Sequence, residues 1–438
     1  MVPPGTRAGA VVADAGEQGG IRRLRSILSG SAGNLVEVYD WFAYASFAIY
    51  FAKVFFPKGD QTLQLLNAAA VFLVGFLFRP VGAWLMGLYA DRRGRRAALV
   101  LSICLMCLGS LIIGLCPGYA QISIFAPAIL VAARILQGIS MGGEYGTSAT
   151  YLSEMAGRKN RGFWSGVFYM TLILGQLGAA LVLNLLHASM PELQIQAWGW
   201  RIPFFVGGAL ALLVFWIRRG MDETPSFARK GPERASTLML FARHPRASLT
   251  VIGLTAGGTL TYYVYGAYTQ QFLVNTAGFS KPAAAAINTG TLAIFILMQP
   301  LFGALSDRVG RRPLLIAFGV LGSITAWPIM STLAHTHDFW TAFGLVMTGM
   351  LIVSLYTSIN AIVKAELFPT EVRALGVALP YALANAIFGG GAEYVALWFK
   401  QAGHESGFFT YLTAMILVSL AVYIWMPDTK KTSRIVED

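Results

Sequence analysis

Two arginines and four acids stand where long apolar stretches make them expensive. Arg79 (in "FRPVGAW") and Arg134 (in "RILQG") are the cations placed well inside hydrophobic runs, and Glu37, Asp40, Glu144 and Glu393 are the acids that share such runs. An ionisable group in hydrocarbon is costly enough to be a functional candidate by default. The chemistry open to these types is specific. A guanidinium fork binds a carboxylate through two parallel hydrogen bonds, and a carboxylate can load and release a proton. Arg79 and Arg134 are therefore candidate binders of a small anion. The alternative is that each is neutralised by an acid, Arg134 by Asp40, and ties helices together. Asp40 and Glu393 are the leading proton carriers. Glu37 and Glu144 suit hydrogen bonding at a helix contact as well as proton carriage.

Neutral donors and acceptors surround these charges. Glu37 and Asp40 are three residues apart, hence on one helix face, with Tyr44 a turn further on. Gln137 and Met141 continue the stripe that Arg134 begins. The second half of the chain offers Tyr262, Tyr263, Gln270, Tyr356 and Asn385. Tyrosines in such positions either face a cavity or pack, and which of them faces inward stays open. The three cysteines, Cys104, Cys107 and Cys116, lie along one apolar run, and the histidines fall at the ends of runs. That pattern points to no metal site, and to no nucleophile with a base, so an enzyme is not expected.

The elements that must position these residues are membrane spans. The chain has 438 residues, of which 56% are hydrophobic and 12% charged, too little polar surface to cover a soluble globule. Twelve apolar runs are each long enough to cross a bilayer: 30–56, 65–88, 97–117, 125–152, 163–188, 199–217, 248–274, 284–305, 314–333, 339–364, 374–400 and 407–426. The expected fold is all-α and integral to the membrane. Residues 1–26 read as a tail with no cleavable signal pattern, 27–217 as a six-helix half, 218–246 as a linker loop, 247–427 as a second half and 428–438 as a closing tail. Lys53, Lys364 and Lys400 lie near span ends, where a lysine can reach the headgroups. Arg201 reads as an anchor on the opposite side.

Charge orients the chain. Between the second and third runs stands "GLYADRRGRR" (87–96), with a twin, "GALSDRVGRR" (303–312), 216 residues later. The repeated G-x-x-x-D-R-x-G-R-R supports two homologous halves. One side of the membrane collects 25 of the 33 lysines and arginines, so by the positive-inside rule both termini are expected in the cytoplasm. The net charge of +12 then reflects topology and anionic lipid rather than nucleic acid. Topology alone does not require the same glycine and aspartate spacing twice. Asp91 and Asp307 can cap a helix start, or lie against the positive N-terminal end of a helix of the other half, together with Arg161 or Arg373. With Arg92, Arg95, Arg308 and Arg311, they are the expected gate fastening.

The repeated motif resembles the loop signature of the major facilitator superfamily. "GNLVEVYDW" (33–41), "RILQGISMGGEYG" (134–146), "WGWRIPF" (198–204) and "LFPTEVRALGV" (367–377) resemble its metabolite:proton symporter family. The resemblance implies two pseudo-symmetric six-helix halves that rock about a central site in a bacterial inner membrane, in a protein working as a monomer. It implies uptake of a small organic acid with protons and no cofactor. α-Ketoglutarate is the first expectation; citrate, another dicarboxylate, shikimate, or a zwitterion such as proline or betaine are the alternatives. Moving a dianion into a negative interior costs roughly 2.3 kcal/mol per charge per 100 mV. Two protons neutralise the complex, so at least two are expected per dianion.

Overall fold

The computed structural model describes residues 33–93, 95–142, 149, 156–157, 159–219, 240, 243–369 and 372–435, with the backbone alone at 87–88, 90–92, 95–96 and 217–219. Twelve long helices cross these residues. They are α1 (33–55), α2 (Gln61–Arg93), α3 (Arg95–Leu115), α4 (Phe125–Met141), α5 (Arg161–Ser189) and α6 (Ile202–Arg219), then α7 (245–275), α8 (Lys281–Val309), α9 (Arg311–His335), α10 (339–366), α11 (373–401) and α12 (Glu405–Trp425). Proline stands inside α2 (Pro80), α8 (Pro300), α9 (Pro328) and α11 (Pro380). In a bundle this is tolerated because neighbouring helices satisfy the backbone groups that proline frees. Two helices carry a π-turn, Val264–Tyr268 in α7 and Asn385–Gly389 in α11. Such widenings cluster where a helix must present an extra residue to a site.

The packing repeats after six helices. In the first half α2 lies against α4, and α3 against α4 and α6; in the second, α8 lies against α10, and α9 against α10 and α12. Between the halves α5 meets α8 and α2 meets α11, contacts that the same two-fold relation exchanges. The α5–α8 seam is close enough to exclude side chains. A Cβ on Gly303 would overlap the Gly162 carbonyl, and one on Gly166 would overlap that of Gln299. Small residues are what let membrane helices approach backbone to backbone. Gly303→Val is therefore expected to force the seam apart. Its detergent-solubilised thermal midpoint should fall by several degrees, by the ~1–3 kcal/mol of an overpacked contact, and an unchanged midpoint would mean the seam has slack.

The halves meet on both faces of the bundle. On the face without the arginine clusters, Lys281 Nζ pairs with Glu192 Oε1 at 2.8 Å and Asn184 donates to Thr289 at 2.6 Å. The hydrogen bond and charge of Lys281 hold the Glu192 carboxyl below the usual glutamate range. This strap is therefore present at neutral pH and is lost only as pH falls through the lowered value. Arg201 serves the same face, donating to the carbonyls of Gly114 and Cys116 at 2.7 Å, where they end α3.

On the arginine-rich face the C-terminal segment is folded, not merely basic. Asp428 accepts from the backbone N–H of Arg311 (3.0 Å) at the start of α9. Lys430 donates to the Asp307 carbonyl (2.5 Å) and Thr429 to Glu366 (2.6 Å). Arg373 holds the Arg434 carbonyl at 3.1 Å. The turn from α8 to α9 passes through Gly310 at φ +112°, where a side chain would both strain the backbone and overlap Asp428.

Candidate functional site

A cavity of about 70 Å³ lies between the halves, walled by α1, α2, α4 and α5 on one side and α7 and α11 on the other. It has room for a few waters. Ligand pockets usually hold ~300–1,000 Å³, so a metabolite enters only if the halves part. The charged groups on its wall are Glu37 and Arg79. Arg79 stacks on Trp41 and Phe76 at 4.0 and 3.9 Å from their ring centres, and its Nη2 donates to Met141 Sδ at 3.3 Å. Its Nε is buried with no partner. Opposite stand Tyr262, Tyr263 and Asn385. Asn385, on the π-turn of α11, leaves both side-chain polar atoms unused, as does Asn34 its amide nitrogen on α1. Buried polar groups are nearly always paired, and the unused atoms of Asn34, Arg79 and Asn385 all belong to residues that line this one cavity.

Tyr262 is fixed rather than open. Its hydroxyl donates to Gln176 Oε1 at 2.7 Å, and Gln176 in turn donates to the Gly266 carbonyl at 2.6 Å, in the π-turn of α7. Tyr263 stacks on Phe42 with ring centres 5.9 Å apart, in the wall between Arg79 and Asn385.

Beyond an aromatic layer of Trp41, Phe72 and Phe76 lies a second polar layer. Arg134 is fully buried there, over Trp41 (3.8 Å), Tyr44 (4.5 Å) and Phe72 (5.2 Å). Glu393 accepts from Gln271 at 2.7 Å, while Gln271 and Gln270 donate to the carbonyls of Ala45 and Ser46 on α1. Asp40 lies inside the first half, not on the cavity. It accepts from Ser110 on α3 and from Gln137 on α4, and Gly207 of α6 packs against it.

The structure thus redistributes the residues singled out above. Arg79, Glu37, Tyr262, Tyr263 and Asn385 line the cavity. The direct Asp40–Arg134 pair does not form; Gln137 stands between, giving its amide to Asp40 and taking Arg134 Nη1 at 2.7 Å, because Arg134 lies about a turn of α4 further from Asp40 than a bridge allows. Tyr44 and Tyr356 are tied elsewhere, Tyr44 to the Ala68 carbonyl (3.0 Å) and Tyr356 beside Thr259 (3.3 Å) in the second half. Lys364 does not reach for headgroups. It is buried, donates to Asn360 at 3.0 Å and lies 3.7 Å from the ring centre of Tyr381, itself on the cavity wall. Glu144 and the side chains of Asp91, Arg92 and Arg95 lie outside the described residues. Trp41, Asn34, Gln176 and Tyr381 carried no charge to draw attention in the sequence. Only the stripe Asn34–Glu37–Trp41, at helical spacing, could have found two of them.

At the arginine-rich face the second copy of the repeated motif crosses between the halves. Asp307 of α8 accepts from the N–H groups of Gly162 and Phe163, both at 2.8 Å, at the N-terminus of α5. An anion there meets both free donors and the positive end of the helix dipole. Arg311 pairs with Asp307 at 2.9 Å and reaches Glu366 at 3.8 Å. Arg161 is buried close to Glu366, and Arg373 is buried under the C-terminal segment. The Arg308 side chain is exposed; only its carbonyl, taken by Lys430 at 3.3 Å, joins the cluster.

The chain matches the sugar (and other) transporter family over residues 27–234 and again over 228–435. It is 49% identical over 414 residues to the α-ketoglutarate permease of Escherichia coli K12, covering 94% of this chain and 96% of that one. Identity is 34% over 367 residues to a citrate–proton symporter of Salmonella typhi, covering 83% and 85%. It is 30% over 421 residues to the shikimate transporter of E. coli K12, covering 94% and 96%. Among solved structures a D-xylose–proton symporter superposes with a TM-score of 0.75 over 94% of this chain and 99% of its own, at 17% identity, which is a likeness of fold.

Proposed function

The chain belongs to the sugar (and other) transporter family, multi-pass membrane transporters of the major facilitator fold, and on that premise we propose that it imports α-ketoglutarate with protons. The observation that carries this reading is Arg79. A guanidinium with an unused Nε faces a cavity between two half-bundles, where its fork can take one carboxylate. Asn34, Asn385 and Tyr263 can receive the rest of the molecule through neutral hydrogen bonds. The cavity is exposed alternately to the two faces as the halves rock on the α5–α8 and α2–α11 seams. The arginine-rich face is the cytoplasmic one, so both termini are cytoplasmic, and the membrane is the bacterial inner membrane. One chain suffices, no cofactor is needed, and protons are the coupling ion.

Protons are carried by carboxylates whose state is felt at an arginine. Asp40 touches Arg134 through Gln137, and Glu37 shares the cavity with Arg79. Glu393 of α11 holds Gln271 of α7 within the second half, with its second oxygen unused, and Gln271 in turn reaches the Ala45 carbonyl of the first half. Two protons per dianion remove the opposition of the membrane potential.

The test is uptake of labelled α-ketoglutarate into proteoliposomes with and without an imposed pH gradient, competed by citrate, succinate and proline. Uptake that a gradient accelerates and dicarboxylates compete for supports the reading. Competition by proline alone reassigns the substrate.

The cytoplasmic latch yields a separate expectation. Asp307→Asn keeps the shape and removes the charge from bonds to two backbone donors and Arg311. Charge-assisted bonds are worth about 1.5–3 kcal/mol, so the closed latch should lose occupancy by roughly tenfold. Maximal uptake should fall by a similar factor with the half-saturation concentration little changed. A variant turning over at the parent rate would make Asp307 a topological anchor only.

A further inference from the structure

Arg79 and Arg134 share one indole but not one chamber. Both guanidinium groups stack on Trp41, at 4.0 and 3.8 Å from its ring centre. Arg79 lines the cavity and Arg134 does not. The two differ in depth: Met141 touches Arg79, and Arg134 lies seven residues earlier on α4, about 10 Å of helix rise toward the far face. Among the described residues neither arginine has a carboxylate within ion-pair distance.

Arg134 carries the marks of a site. It is fully buried, yet Nε and Nη2 have no partner; only Nη1 is used, on Gln137. Leaving two donors of a buried cation unmet is expensive. Facing this layer from the other half, Gln270 Oε1, Gln271 Oε1 and Glu393 Oε2 are also unused. The bonds closing it on the far side are those of Gln270 and Gln271 to α1 backbone, 3.1 and 3.2 Å, which break when the halves part there.

We propose that Arg134 is a second carboxylate station, reached from the far face, and that a dicarboxylate passes from it to Arg79 around the edge of the Trp41 indole. This deepens the transport reading and rests on it. Each station belongs to one orientation of the carrier, so the anion is held by a guanidinium on either side of the aromatic layer and crosses it beside a ring that already stabilises both cations. The groups bearing on Arg134 are Tyr44, Asp40 through Gln137 and the like-charged Arg79 on its own half, with Glu393 and Tyr263 from the other; on Arg79 they are Glu37 on α1 with the Tyr263 and Tyr381 rings opposite.

The test is one-sided kinetics in right-side-out and inverted membrane vesicles with labelled α-ketoglutarate. Arg134→Lys, which keeps charge but not the fork, is expected to raise the half-saturation concentration about tenfold in right-side-out vesicles and by less than about twofold in inverted ones. Arg79→Lys is expected to do the reverse. Equal shifts in both orientations for both variants overturn the proposal in favour of a single shared station. Normal half-saturation from one side certifies that a variant is folded. Should Arg134→Lys be inactive from both sides, Trp41→Phe decides: a lower maximal rate in both orientations with unaltered half-saturation supports the relay, and an unaltered rate overturns it. If the parent protein moves α-ketoglutarate in neither orientation, the function proposed above is what fails, and the relay falls with it.

Discussion

Arg79→Ala lowers α-ketoglutarate uptake into inverted membrane vesicles at subsaturating concentration by about a hundredfold or more. Arg79 is the cation on the wall of the central cavity; its Nε is unused and its Nη2 is held by the weak acceptor Met141 Sδ, which a carboxylate taking two donors from the fork can displace. Two charge-assisted hydrogen bonds at about 1.5–3 kcal/mol each set that scale, each 1.4 kcal/mol being tenfold. Removing the side chain also strips the stack from Trp41 and Phe76 and the contact with Met141. Arg79→Lys separates the two effects, because it keeps the charge and most of the stem but loses the fork. An intermediate loss for lysine, near tenfold, identifies carboxylate recognition. Equal losses for alanine and lysine would instead assign Arg79 to packing. Parent-like uptake by the alanine variant would remove the binding role altogether.

Asp40→Asn abolishes accumulation driven by a pH gradient while leaving exchange of labelled for unlabelled substrate. Asparagine preserves the shape of the contact with Ser110 and Gln137 but cannot change its charge. With the negative charge gone, Gln137 is held less firmly and Arg134 is left permanently in the state that follows protonation. Substrate can then cross with substrate, but no proton needs to follow. Concentrative uptake at the parent level would move proton carriage to Glu37 or Glu393. Because Asp40 is fully buried beside Gly207, bulkier replacements would test packing rather than coupling.

The broad architecture was legible because its signals are repeated. The two copies of G-x-x-x-D-R-x-G-R-R marked the two-fold relation, and eleven of the apolar runs fell within a few residues of the helices, while the end expected for the fourth, at 152, lies outside the described residues. Asp307 against the N-terminus of α5 is one of the two placements that the repeated glycine and aspartate spacing left open, the other being the start of a helix that it caps itself. Depth was legible for Arg79 from its distance to the motif. What failed to read was direction around the helix axis. Asp40 and Glu37 share a face by spacing and both bond α3 and α4, Asp40 through Ser110 and Gln137 and Glu37 through Ser102 and Ser140, yet only Glu37 also borders the cavity, while Gly207 of α6 packs against Asp40. The π-turns of α7 and α11 add a residue to the turn without a sequence signature, so Asn385 was placed by type and not by angle. Lys364 misled because α10 is broken near Ser358 and its last turns are covered by α11 and the C-terminal segment. A count of residues from the span end cannot show that cover.

That C-terminal segment turns the end of the chain into an instrument. Asp428, Lys430 and Arg434 touch, respectively, the start of α9, the end of α8 and the Glu366 carbonyl. A dye attached at Ser433 would therefore ride on the second half beside Glu366 and the latch of Asp307 and Arg311, where its emission would respond to changes around that latch. The same position is a poor choice for a bulky purification handle.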